Sequence, residues 1–241
     1  MTQPRDSKEW DKEGIGQRDI ARRWKLDYSL GTKDYTNRVI EGVQKLVSRL
    51  RRPDIETRSL LEEAAYLIVR QLGIKEVSIG LRSSEDGLYR YEVIVGASEE
   101  AEKALRRITY TVDDFREDSS KYKGTMISKH TKLFLSEDIP YTDDEKDSYS
   151  RPVMLGIKRW SDTDSIEGDY LDILIYGPEE DIVGWMEVGG TIFGKLPNVT
   201  IIRWIELISS ILGTALALQN ARSGQTRAYR QEGRDREGKG V

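Results

Sequence analysis

Residues 171–218 read LDILIYGPEEDIVGWMEVGGTIFGKLPNVTIIRWIELISSILGTALAL, and this stretch decides the fold. Apolar residues alternate with others from Leu171 to Ile175, which is the period of a β-strand. The turn at 177–181 leads into a second strand over 182–188, so an antiparallel hairpin is expected. Apolar residues then recur at helical spacing from about 198 to 220. The stretch therefore predicts a hairpin that runs into one long apolar helix.

The segments upstream repeat these two patterns. Helical spacing predicts one helix from about 34 to 51 and a second between Pro53 and Gly73. Alternation around an Asp-Gly turn predicts a hairpin over 76–96, and a charged helix follows over 98–108. Hairpins imply antiparallel pairing. We therefore expect an α+β fold in which amphipathic helices pack on a central antiparallel sheet.

The middle of the chain is less regular. A short strand is expected over 109–112 and another over 153–160, with a short helix and long loops over 113–149. An irregular segment of this length inside a compact domain is uncommon unless it has a function. We therefore expect it to cover a pocket.

The ends of the chain differ in composition from its centre. Residues 1–33 form a charged N-terminal extension, 34–221 the domain, and 222–241 a charged tail that is expected to be disordered. The N-terminus shows no secretory signal, and the apolar stretch 201–218 carries Arg203 and Glu206, which favours a buried helix over a membrane span. A cytoplasmic protein with no membrane contact is expected.

Composition excludes several classes of site. The chain has no Cys, which rules out disulfides, zinc–thiolate sites, iron–sulfur clusters and thiol nucleophiles. Its net charge of −4 argues against a nucleic-acid partner, since such surfaces are normally basic.

Three features suggest a catalytic or metal site, and each lacks a residue or a spacing that such a site requires. The segment 189–195 has the spacing of a phosphate-binding loop, but Leu196 replaces the hydroxyl that holds magnesium and Pro197 lacks an N–H group. The acidic loop 162–169 departs from the spacing of a calcium loop. His130, the only histidine, has no nucleophile motif beside it. We expect no enzyme, no metal site and no cofactor.

One aromatic and Arg-rich group borders the irregular segment and has the composition of a small-ligand pocket. Its members are Tyr149, Arg151, Met154, Arg159, Trp160 and Tyr170. The alternative is that Met154 and Trp160 are ordinary core residues.

The closing helix is apolar on more than one face, so one sheet cannot cover it. A two-fold interface between copies of the chain would bury the second face together with the helix over 34–51. The predicted interface residues are Val39, Val43, Leu46, Leu50, Trp204 and Ile211.

The order of elements over about 55–220 resembles a GAF domain, with features also shared by PAS-like folds. The resemblance rests on LLEEAAYLIVRQLG, on the hairpin KEVSIGLRSSEDGLYRYEVIVG, and above all on YLDILIYGPEEDIVGWMEVGG followed by IIRWIELISSILGTALALQNA. It implies a regulatory module that binds a small molecule or dimerises and that signals through its terminal helices. The cysteine of the bilin-binding and methionine-sulfoxide-reducing members and the Asn-Lys-x-Asp-Glu signature of the cyclic-nucleotide-binding members are absent.

The resemblance thus implies a stand-alone sensory domain with an unknown small-molecule ligand, and with a second copy or a signalling protein as its partner. The alternative is a homodimerisation or adaptor module without a ligand.

Overall fold

A computed structural model describes residues 17–31, 35–52, 55–116, 123–138 and 146–237, with side chains described over 20–28, 35–52, 55–116, 123–138 and 146–222. It divides the chain into two compact units, residues 1–41 and 42–241. The first unit contains α1 (Gln17–Gly31) and the start of α2 (Tyr35–Arg49). Residue 33, the predicted end of the N-terminal extension, lies outside the described residues.

The second unit is an α+β domain built on one sheet. Its remaining helices are α3 (Thr57–Leu72), α4 (Glu99–Leu105) and α5 (Val199–Glu237). Its strands are β1 (Val77–Arg82), β2 (Tyr89–Val95), β3 (Thr125–Met126), β4 (Thr131–Phe134), β5 (Tyr170–Tyr176) and β6 (Ile182–Val188).

The six strands form an antiparallel sheet in the order β2-β1-β6-β5-β4-β3. The predicted hairpins β1–β2 and β5–β6 are both present, and they join through β1 and β6. The predicted fold class, with a central antiparallel sheet and packed helices, is therefore confirmed.

Helices α3 and α5 cover one face of the sheet, with α3 on β1 and β2 and α5 on β5 and β6. The alternate strand residues Val77, Ile79, Ile173 and Met186 point into this layer and are buried. Helix α3 ends at Gly73, whose φ of 66° is the left-handed conformation that glycine adopts without strain. The apolar periodicity of the sequence predicts this layer well.

Helix α5 approaches the sheet closely. A Cβ atom on Gly213 would lie 2.2 Å from the carbonyl oxygen of Tyr176, so only glycine allows the helix this near to β5. The Ser209 hydroxyl donates a hydrogen bond to the Leu174 carbonyl at 2.7 Å. At the other end, the Gln219 amide donates to the Ile55 carbonyl at 2.8 Å, which ties α5 to the chain before α3.

Three predictions of local structure were wrong. Residues 153–160 form no strand but a 3-10 turn at Pro152–Met154 followed by irregular chain, because Pro152 and Gly156 (φ 76°) break an extended run. Residues 109–112 form no strand: Tyr110 makes an isolated bridge to Tyr89, and Val112 begins a 3-10 helix. The segment predicted as a short helix and loops has 3-10 helices at Val112–Phe115 and Ser136–Asp138, but it also supplies two strands that were not predicted, β4 paired with β5 and β3 paired with β4.

The final helix is also longer than the 198–220 expected. It continues to Glu237, so most of the tail expected to be disordered is helical in the structure. Extending an existing helix costs much less than starting one, and Gln, Arg and Glu in the tail are good helix formers. Residues 238–241 lie outside the described residues.

Candidate functional site

A cavity of about 310 Å³ lies on the face of the sheet opposite α3 and α5. Its floor contains Ser78 of β1, Tyr91 of β2, Tyr170 of β5 and Glu187 of β6. These residues alternate along their strands with the core residues of the helical face, so the sheet separates the cavity from the helices. Its cover consists of Leu105 at the end of α4, Ile108 and Tyr110 in the chain that follows, and residues of the segments 148–151, 165–169 and 189–194.

Polar residues cross the sheet as one row beneath and beside the cavity. The strand register places Ser78 opposite Glu187, Glu187 opposite Asp172, and Asp172 opposite Lys132. The Lys132 ammonium donates to the Phe115 carbonyl at 2.9 Å. Two carboxylates thus sit side by side on neighbouring strands, and Asp172 Oδ1 is shielded from solvent with no hydrogen-bond partner in the described part of the chain.

Burial makes these carboxyl groups resist ionisation. It raises the pKa of Glu187 to about 7, against the opposing effect of a hydrogen bond from Tyr91. Burial raises the pKa of Asp172 well above its usual range, and the charge of Glu187 adds to the shift while Lys132 opposes it. Two neighbouring buried carboxylates repel each other when both are ionised, so each makes ionisation of the other less favourable.

A short chain of phenols ends on Glu187. The Tyr91 hydroxyl donates to Glu187 Oε2 at 2.7 Å, and the hydroxyls of Tyr91 and Tyr110 lie 3.1 Å apart. Because Tyr91 has a single hydroxyl hydrogen, Tyr110 is the donor in the second bond. The Tyr91 and Trp185 rings pack with centroids 4.9 Å apart. Gly80 makes room for Trp185, since a Cβ there would lie 2.0 Å from its ring.

The cover is tied to the floor by a second set of polar contacts. Ser150 donates to Glu76 Oε2 at 2.9 Å and accepts a hydrogen bond from the Ser98 amide at 3.1 Å. Glu167 binds the Arg151 guanidinium at 2.9 Å and lies 3.8 Å from the Lys75 ammonium. Residues 150–151 and the loop 165–169 therefore close over the sheet, whereas within the described part of the irregular segment 113–149 only Ser148 and Tyr149 line the cavity.

The predicted pocket residues divide into two groups. Tyr149, Arg151 and Tyr170 line the cavity. Met154 and Trp160 do not line it and are exposed, Trp160 at 83%, because residues 153–160 are not the strand that would have aimed them inward.

Arg159 lies behind the cavity wall instead of in it. Its guanidinium binds the buried Asp169 at 2.8 Å and Glu137 at 2.8 Å. Asp169 in turn accepts hydrogen bonds from the amides of Ser136 and Ile166. Arg159 therefore positions the loop that carries Tyr170 and does not face a ligand.

Sequence reasoning missed the polar floor. Glu187, Asp172 and Lys132 occupy strand positions that face away from the helical core, where a polar residue normally indicates solvent. One signal in the sequence was available. Leu174 and Trp185 lie on the same face of the sheet as these polar residues, and large apolar residues on a face indicate that it is covered.

The predicted interface residues also differ in accessibility. Val39 and Leu46 have almost no exposed surface, at 0% and 2%. Val43, Leu50, Trp204 and Ile211 are half-buried. Beyond Val199 at the first position of α5, the more exposed apolar residues of its described side chains are Leu207 and Leu218, which lie on the same flank of the helix as Trp204 and Ile211.

The rejected motifs have structural roles. The 189–195 loop closes on itself through the Thr191 amide and the Lys195 carbonyl at 2.8 Å, and Lys195 pairs with Asp164. Asn198 caps α5 by accepting from the Ile201 amide at 3.0 Å. The described residues contain no group of three potential metal ligands. His130 packs edge-on against Tyr176.

One segment of α5, Val199–Arg222, is long and apolar enough to cross a membrane by length and composition alone. The same segment contains the residues that pack on β5, such as Ile205, Ile208 and Leu212, which are buried. One third of the segment is buried, so packing on the sheet accounts for only part of its apolar character, and Leu207 and Leu218 remain exposed.

Solved structures of GAF domains share this fold. The phycoerythrobilin-bound GAF domain of a cyanobacterial phytochrome matches with a TM-score of 0.50 and 12% identity, covering 77% of this chain and 97% of that one. The GAF domain of a Coxiella burnetii phosphoenolpyruvate-protein phosphotransferase matches with a TM-score of 0.50 and 9% identity, covering 80% and 99%.

A GAF domain/HD domain protein from Geobacter sulfurreducens also matches, with a TM-score of 0.50, 8% identity, and coverage of 73% and 98%. No protein-family model and no curated protein sequence matches the chain. At these identities the likeness establishes the fold, and the chain has the fold of a GAF domain.

Proposed function

We propose that this chain, which has the fold of a GAF domain, is a non-catalytic sensory or regulatory domain of the cytoplasm that binds a small ligand in the sheet cavity and signals through its terminal helices. The observation that carries the proposal is the cavity of about 310 Å³, which combines aromatic walls with a few buried polar groups. Sites for small molecules have this size and this composition.

Strand β5 offers a physical connection from the cavity to the terminal helix. Tyr170 at the start of β5 lines the cavity, and the carbonyl of Leu174 further along accepts the hydrogen bond from Ser209 of α5. Gly213 of α5 lies against the backbone of Tyr176 at the end of the same strand. A ligand that shifts β5 would therefore also shift α5, because the two elements are too closely packed to move independently.

A cavity-filling variant tests the ligand-binding role. Ile108 lines the cavity, and Ile108→Trp should remove the thermal stabilisation produced by any small molecule found in a broad screen. Ile157→Trp is the matched control, since Ile157 is 39% exposed and outside the lining. A broad screen without a stabilising compound, or one whose hits still act on Ile108→Trp, would contradict the proposal.

A homodimerisation or adaptor module without a ligand is the second candidate. It is favoured by the apolar flank of α5, where Leu207 is 44% and Leu218 is 43% exposed. Sedimentation velocity of wild type, Leu207→Glu and the matched control Ser210→Glu tests it. Wild type and Ser210→Glu should sediment as dimers and Leu207→Glu as a monomer, whereas a monomeric wild type would rule the candidate out.

A further inference from the structure

The four carboxylates that line the cavity are not equivalent. Glu167 has two cationic partners, Arg151 and Lys75, and Asp169 has Arg159. Glu76 and Glu187 form no ion pair within the described part of the chain, and their hydrogen bonds come from the neutral hydroxyls of Ser150 and Tyr91. Each of these hydroxyls contacts only Oε2, which leaves the second oxygen of each carboxylate as an acceptor.

The basic groups of the cavity are already committed. Arg151 Nη2 lies 2.9 Å from Glu167 Oε2, and the Arg151 Nε lies 3.0 Å from the same oxygen. An anionic ligand would have to break these contacts and would also face Glu76 and Glu187. The charge distribution therefore opposes an anion in the interior.

The pKa values of Glu76 and Glu187 agree with a preference for a cation in the cavity. Burial raises the pKa of both Glu76 and Glu187, and the charge of Glu76 adds to the shift of Glu187. For Glu76 the charge of Glu167 adds to the shift, while the hydrogen bond from Ser150 and the charges of Lys75 and Arg151 oppose it. A buried carboxylate without a cation is an unfavourable arrangement that a cationic ligand would relieve. The walls add phenol rings from Tyr91, Tyr110 and Tyr170, whose faces attract cations.

We infer that the cavity takes a small organic cation, a protonated amine or an amidinium, whose N–H groups bind Glu187 on the floor and whose carbon skeleton lies among the tyrosines. This inference rests on the proposed function, because it names the class of ligand for the same cavity. Charge-assisted hydrogen bonds to carboxylates inside a partly desolvated cavity are stronger than neutral ones. They would select a cation over a neutral molecule of the same shape.

Matched probes of one size test the inference. The full chain is titrated calorimetrically with phenethylammonium and benzamidinium, with the neutral isosteres 2-phenylethanol and benzamide, and with benzoate. The cations should bind at least about tenfold more tightly than their isosteres, and benzoate should bind most weakly. Glu187→Gln should bind the cations about as weakly as it binds their neutral isosteres. Glu92→Gln, at an exposed position of β2, should bind all probes as wild type does.

The outcomes separate the inference from the proposed function. If the neutral probes or benzoate bind as tightly as the cations and Ile108→Trp abolishes their binding, the cavity is a ligand site but the cationic class is wrong. If cations bind wild type and Glu187→Gln equally, the role of Glu187 is wrong and the inference falls. If none of the probes binds and the broad screen also yields no ligand, both proposals fall. Glu76→Gln provides a second reading of the charge effect should Glu187→Gln lose its near-ultraviolet circular dichroism.

Discussion

The hydroxyl of Tyr91 donates to Oε2 of Glu187 at 2.7 Å, although the two residues belong to strands that are not neighbours in the sheet. Strand β1 runs between them, and the bond can cross it because the residues of β1 beneath are small, Ser78 and Gly80. This bond joins the packed rings of Tyr91 and Trp185 to the polar floor of the cavity. Four predictions test it and the packing around it.

Glu187→Gln should stabilise the protein at about pH 8 by about 1–3 kcal/mol. Glu187 has a pKa raised to about 7 from 4.5, so the native state holds a proton that the unfolded state loses. Its contribution to the free energy of unfolding therefore falls as pH rises from about 4.5 to 7, and the neutral amide removes this loss. Urea unfolding at about pH 5 and pH 8 measures it. Glu92→Gln should show no such pH-dependent gain, and an equal gain at both pH values would contradict the argument.

Tyr91→Phe should destabilise the protein by about 1–3 kcal/mol, and more at high pH than at low pH. The substitution removes the donor to Glu187, and the ionised carboxylate loses more than the neutral acid does. Chemical denaturation at both pH values checks it. Tyr66→Phe, at a residue that is 45% exposed, is the control and should change stability little. A loss that is independent of pH would mean that Tyr91 acts only by packing.

Gly80→Ala should destabilise the protein by about 1–3 kcal/mol, because the new methyl group would lie 2.0 Å from the Trp185 ring. Trp185 is buried and packs against Tyr91, so it has little room to move. Thermal unfolding and the near-ultraviolet circular dichroism of the buried aromatic residues measure the effect. Gly189→Ala is the matched control, since its methyl group would meet only an ordinary contact at 3.5 Å. Equal stabilities of the two variants would show that the ring is not fixed.

Ser209→Ala should cost about 1 kcal/mol, since it leaves the buried carbonyl of Leu174 without its side-chain donor. Ser210→Ala should be nearly neutral, because the Ser210 hydroxyl bonds only to the carbonyl of Glu206 within the exposed surface of α5. Hydrogen exchange of the β5 amides should quicken in the first variant alone. Unchanged exchange in β5 would remove the proposed connection between the cavity and α5.

Local patterns predicted the parts of the fold that depend on periodicity. The hairpins around Gly87 and around 177–181, helix α3 with its stop at Gly73, and the start of α5 near residue 198 all lie where the sequence places them. The strand over 153–160 was wrong because its apolar residues follow Pro152 in a turn. Strands β3 and β4 were missed because short strands acquire their conformation from the neighbour with which they pair.

In the candidate site, too, some features follow from local sequence patterns and others only from the tertiary structure. The sequence determined that the chain would form an antiparallel sheet with packed helices, because apolar spacing of two or of about 3.6 residues is a local property. It also drew attention to Tyr149, Arg151 and Tyr170, which line the cavity. Only the tertiary structure decided that Ser78, Glu187, Asp172 and Lys132 form one row, since that row depends on pairing β1 with β6 and β4 with β5. Such pairings join distant segments, and the desolvation that raises the pKa of Glu187 exists only once the cover has closed over the sheet.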